Sequence, residues 1–214
     1  MKLFQLRDSM FPAAFFCLLG FGMSAWAQDP LLTDEVYYQH VKIVAPEGVQ
    51  IAPAADGTFI PTMEAPQIYA FQLGKTYRLR VINISLFPGV ELYPTIEIVD
   101  RTHPPVGEEI RHAVVVELAR EDLIAAISGK FVKRIIYIED PETALPVAQT
   151  SELGQGYFDV PAETDAYAMA KTLGRPIVIL RIGGRAPEED EVDMSFLFDC
   201  PPFLHYPPQA PVAP

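Results

Sequence analysis

The clearest alternation of apolar and polar positions runs through residues 75–84, where Tyr77, Leu79 and Val81 interleave with Arg78 and Arg80. Such a period of two belongs to a strand with one face in a core and the other in water. Gly74 and Lys75 separate it from a second apolar segment at 67–73, so the two together read as a hairpin. Further strand-like stretches fall at 36–44, 92–99 around Pro94, 113–118, 131–138, 157–160, 177–182 and 194–198. Helical spacing occurs twice. At 120–128, Leu123, Ile124 and Ile127 share one face and Gly129 supplies the stop; at 165–173, Thr164 is the expected N-cap, Tyr167, Met169 and Ala170 the contact residues and Gly174 the stop. The 21 prolines interrupt the chain too often for long helices. Eight or nine short strands with two short helices predict a mainly β fold, an antiparallel β-sandwich of the immunoglobulin-like or cupredoxin-like kind.

The N-terminus follows a different pattern. Lys2 and Arg7 precede an apolar run of about a dozen residues, too short for the roughly 20 that a spanning helix needs. The run ends in Ser24-Ala25-Trp26-Ala27, and Gln28-Asp29-Pro30 opens a polar stretch. This is the layout of a cleavable secretory signal over 1–27, with cleavage between Ala27 and Gln28. Bulky Phe15 and Phe16 ahead of Cys17 do not fit a lipoprotein signal. Residues 28–33 form a short lead, 34–185 the sandwich domain, and 186–214 an acidic linker followed by a proline-rich tail, expected to be peripheral except for an edge strand at 194–198.

Charge and cysteine content then narrow the setting. Of 16 basic and 28 acidic residues, Lys2, Arg7 and Asp8 leave with the signal, so the remaining chain carries 14 and 27, a net charge of −13. Such a surface repels nucleic acid and anionic lipid. No later segment is long enough for a membrane span. Removal of Cys17 leaves Cys200 alone, which excludes an internal disulfide and leaves burial or pairing between chains. The acidic surface leaves the oligomeric state open.

The blocks QIYAFQLGKTYRLRVINI (67–84), FPGVELYPTIEIVD (87–100), EDL (121–123), VKRIIYIEDP (132–141) and LGRPIVILRIGGR (173–185) resemble a group of uncharacterised exported proteins familiar from planctomycete bacteria. The resemblance spans roughly residues 45–187. It implies a bacterial cell-envelope, periplasmic or extracellular setting and brings no function with it.

Few side chains offer chemistry. The segment at 74–83 is similar to strand-opening segments of cupredoxin domains in multicopper oxidases, and Cys200 and His205 have a spacing that a blue-copper site can use. Two prolines lie between them, no methionine follows, and the upstream ligand would have to be His40, His103 or His112. Glu188, Glu189, Asp190, Glu191 and Asp193 are hard-oxygen donors for calcium, without the glycine turn and ordered spacing of a binding loop. No nucleophile elbow, paired-histidine metal motif or phosphate loop is present, so no catalytic residue and no cofactor is expected. Two proline-rich connections, at 46–66 and 101–107, are the candidate binding rim; Tyr37, Tyr38, Tyr157 and Tyr167 are expected first as core or cross-strand packing, with stacking on a sugar as the alternative. The expectation is an exported non-enzymatic protein, a structural or binding component of the bacterial cell envelope with an envelope protein or glycan as partner; a small cupredoxin-like metal or redox protein is the alternative.

Overall fold

The computed structural model describes residues 36–142, 159–161, 163–187 and 193–207. The signal with its Ala27–Gln28 junction, the 28–33 lead, Tyr157, Glu188 to Glu191 and the end of the tail lie outside the described residues. So does half of the strand expected at 157–160, whose described half, Asp159 and Val160, forms no strand.

The fold is mainly β, two sheets packed as a sandwich with two short helices. In chain order the elements are β1 (Tyr38–Val44), β2 (Gln50–Ala55), β3 (Thr58–Phe59), β4 (Met63–Glu64), β5 (Gln67–Gln72), β6 (Thr76–Ile82), β7 (Thr95–Ile98) and β8 (Val114–Glu117). Then come α1 (Arg120–Ile127), β9 (Val132–Glu139), α2 (Ala166–Leu173), β10 (Gly174–Ile182) and β11 (Phe203–Tyr206). The smaller sheet has the order β11-β5-β1-β8; the larger runs β3-β2-β6-β7-β10-β9, with β4 also on β2. All pairs are antiparallel except β1 with β8.

Alternation decides what each strand buries. Val41 and Ile43 of β1, Tyr69 and Phe71 of β5 and Val116 of β8 meet Ile51, Leu79, Val81, Ile96, Ile98, Val178 and Leu180 from the larger sheet in one core. The larger buried side chains in this set each contribute roughly 1.5–3 kcal/mol from leaving water. From α1 the core takes Leu123 and Ala126, one position off the expected face, while Ile127 is only partly buried. The cap of α2 is Asp165 rather than Thr164: its carboxylate accepts the Tyr167 N–H. Gly174 passes straight into β10, where a Cβ would stand 2.0 Å from the Ile138 carbonyl oxygen, so only glycine fits against β9 at this point.

Four sequence expectations change. The segments at 67–73 and 75–84 are not a hairpin: β5 joins the smaller sheet and β6 the larger, and the turn at Gly74 (φ +74°) carries the chain across the core. The apparent connection at 46–66 holds three strands. Pro53 argues against a strand there, but Leu79 opposite sends its N–H to Pro94, so the missing proline N–H forfeits no bond to β6. The third and fourth changes concern the C-terminus. Residues 194–198 form turns, and β11 docks on β5 as an edge strand in their place.

The C-terminal segment also alters β6. Arg78 was expected in water, yet it is 6 % exposed because Phe196 and Leu197 lie over the outer face of the larger sheet. Outward-facing Ala52 and Ala54 leave room for them. Arg78 donates to the carbonyls of Phe196 (2.9 Å) and Tyr93 (2.8 Å), and its guanidinium sits 4.3 Å from the Phe196 ring centroid. Burial, with Arg185 nearby, pulls its pKa down to about 10. Tyr77 completes the attachment by donating to the Pro202 carbonyl (2.8 Å) while accepting the Gln72 N–H (2.7 Å). Between these anchors Phe198, Asp199 and Cys200 all have left-handed backbones, with φ of +56°, +57° and +46°.

Candidate functional site

A polar hollow lies where β1 begins. Tyr38, Gln39 and His40 form one wall and Arg101, Thr102, His103, Pro104 and Glu109 the other, around about 270 Å³. Local patterning explains the wall. Gln39 shares the inward parity of Val41 and Ile43, so a polar amide is buried at the end of the core. It is satisfied there: its Oε1 accepts from Thr102 N (2.6 Å) and Thr102 Oγ1 (3.1 Å), and its Nε2 donates to the His40 carbonyl (2.8 Å).

That amide fixes the connection from β7 to β8 against β1. A second anchor is Arg175, which donates to Asp100 Oδ2 and to the Arg101 carbonyl, both at 2.9 Å. A third is the Arg101 guanidinium, 3.5 Å from the Tyr37 ring centroid, so the Tyr37 face is already covered by a cation. The outward residues of β1 stay accessible, and His40 has its ring 5.0 Å from Tyr206 of β11. Burial pulls the His40 pKa below its ordinary value, opposed by the nearby Glu109 carboxylate. Glu109 is itself held low, chiefly by accepting the Gly107 N–H (3.0 Å).

The hollow thus presents cationic and neutral donors from Arg101, His40 and His103 beside one acceptor carboxylate, in a chain that is strongly acidic elsewhere. Its one hydroxyl from threonine, Thr102 Oγ1, is bonded to Gln39 and not to a histidine. The arrangement suits recognition of a polar group by hydrogen bonds and charge.

The other sequence-marked residues are dispersed. Cys200 is half-buried against Ala54, Phe196 and Leu197, and its Sγ accepts the Gly57 N–H at 3.3 Å. His205, on β11 of the smaller sheet, lies 2.9 Å from Gln67 Oε1 and stacks on Tyr69 of the neighbouring strand at 4.9 Å. Burial lowers its pKa. Among the described residues no three His, Cys, Asp or Glu side chains stand close enough to share a metal ion. His103 and His112 are exposed, and Tyr167 carries the Lys171 ammonium 4.9 Å over its ring. Of the two connections expected as a rim, 101–107 lines the hollow. Pro46 and Glu47, from the other, border a smaller one of about 220 Å³ with Ser85 and Arg120.

Sequence reasoning missed Gln39 and Glu109, and with Gln39 its bond to Thr102. A signal existed for the first, since an amide at an inward position of an alternating strand must find partners at the sandwich end. No family model, curated protein or solved structure matches this chain. No helix of the described residues is long and apolar enough to cross a membrane.

Proposed function

We propose that this is an exported, non-enzymatic binding component of the bacterial cell envelope, which holds a polar group of an envelope protein or glycan in the hollow between β1 and the β7–β8 connection. The observation that carries the reading is the pinning of that connection. Three independent anchors, through Gln39, Arg175 and Tyr37, hold an otherwise irregular segment in place while His40, His103 and Glu109 remain open to solvent. A rigid loop that keeps its donors unspent loses little entropy when a ligand arrives. The N-terminal secretory pattern supports the setting.

The test is photocrosslinking in intact cells. A benzophenone amino acid at Pro104, which lines the hollow beside His103, should capture one reproducible envelope component, and the same probe at Lys130, remote in sequence from the hollow, should not. Equal labelling from both positions, or capture of nothing but the protein itself, would refute a binding role for the hollow. Sequencing of the exported protein should begin at Gln28.

A further inference from the structure

We infer that β9 is a self-recognition edge, at which two copies of this chain pair antiparallel about a twofold axis through Ile136 and join their larger sheets into one. Edge strands expose unpaired backbone groups, and proteins commonly guard them by shortness, proline or charge. Among the described residues the two sheets end in four edges, and three of them follow that rule. β3 has two residues, β8 has four, and β11 has four between Pro201-Pro202 and Pro207. β9 has eight, contains neither proline nor glycine, and carries Ile135, Ile136, Tyr137 and Ile138 in succession. Ile138 is 42 % exposed.

The occupant is indicated by the order of charges. Two faces alternate along β9. Val132 and Ile136 face the core and Arg134 meets Asp122 of α1, which leaves Lys133, Ile135, Tyr137 and Glu139 on the opposite face. In an antiparallel pair centred on Ile136, Lys133 of one copy stands across from Glu139 of the other, twice over, and Ile135 stands across from Tyr137. Both charges are exposed and neither forms an ion pair among the described residues. Within its own sheet Lys133 lies opposite Arg181, whose guanidinium is engaged by Glu97 at 2.7 Å. The lysine therefore has a cation as its neighbour inside the sheet, and an acid arriving from outside complements it. A strand whose charges are complementary to their own reversal selects another copy of itself, because an isologous contact presents each residue to its mirror position. Shifting the register by one residue would place apolar and charged faces on opposite sides.

Sedimentation of the purified full chain over a concentration series, under reducing conditions so that Cys200 makes no link, tests this directly. The expected result is a weak, concentration-dependent dimer. Lys133→Glu and Glu139→Lys should each raise its dissociation constant about tenfold, since each replaces two opposite-charge pairs with two like-charge pairs. Mixing the two single variants should produce a heterodimer of nearly native affinity, and the double variant should recover the homodimer. Unchanged thermal midpoints would separate these effects from misfolding. A monomer at all concentrations would overturn the proposal. A dimer indifferent to both charge reversals would overturn it equally.

Discussion

Two irregular segments cross the surface of this sandwich, and they are held by opposite kinds of force. Residues 193–206 are attached by apolar burial and by a guanidinium under cover: Phe196 and Leu197 are nearly inaccessible, and Arg78 beneath them spends its donors on main-chain carbonyls. Residues 99–113 are attached by polar contacts at one end, through Gln39 and Arg175, and then stand away from the core, with Val106 99 % exposed. The first segment is part of the fold although it lacks regular structure for much of its length. The second is displayed by the fold. Irregular backbone thus says little about role until the anchoring chemistry is known.

The comparison is broken most severely at Arg78. Arg78→Ala removes two charge-assisted bonds and leaves the Phe196 and Tyr93 carbonyls without their donor, so urea unfolding should show a loss of about 3 kcal/mol. Arg78→Lys should recover only part of it, because a point ammonium cannot serve two carbonyls and a ring with the same planar fork. Gln39→Ala acts on the other segment. It should cost about 1–2 kcal/mol, and hydrogen exchange should accelerate at Thr102 and its neighbours while the β6 and β10 amides stay protected. Uniform acceleration would show that the displayed loop is as integral as the C-terminal segment.

Acid should sharpen the contrast. Burial depresses the folded-state pKa of both His40 and His205 below the ordinary 6.5, so the unfolded chain binds more protons in the window beneath that value. Their stabilising contribution is complete above 6.5 and is lost as pH falls through the folded pKa values. Denaturation midpoints measured downward from pH 7 should decline, and His205→Gln should flatten the part of the decline that belongs to β11. The smallest effect is expected from His103→Ala. An exposed side chain on the displayed loop should change stability by less than about 0.5 kcal/mol, yet abolish capture of the envelope partner.

The fold class was readable because it rests on alternation, which is local. Tyr77, Leu79 and Val81 turned inward as their spacing demanded, and the glycines at 129 and 174 stopped the helices. Sheet membership was not readable, because a turn at Gly74 looks the same in sequence whether its strands pair or part. Pro53 and the prolines around β11 hid two strands, each tolerated where a missing N–H or a short edge makes no demand. Arg78 was misplaced because nothing near it in sequence announces Phe196, 118 residues away. Half of the hollow was anticipated through the 101–107 connection and Tyr38. The rest depends on Gln39 meeting Thr102 across 63 residues, a contact only the folded chain can make.

The left-handed run at Phe198, Asp199 and Cys200 inverts the usual ranking of substitutions. Each such residue bears a steric penalty of roughly 1–2 kcal/mol that glycine avoids, so along this tripeptide the smallest side chain is the gentlest replacement and β-branched ones the harshest. Drift under selection for folding alone would carry these positions toward glycine or asparagine. Asp199 belongs to the residue types that tolerate this conformation, whereas Phe198 and Cys200 bear its strain while contacting the Arg78 guanidinium and the Gly57 N–H, contacts that glycine would not make.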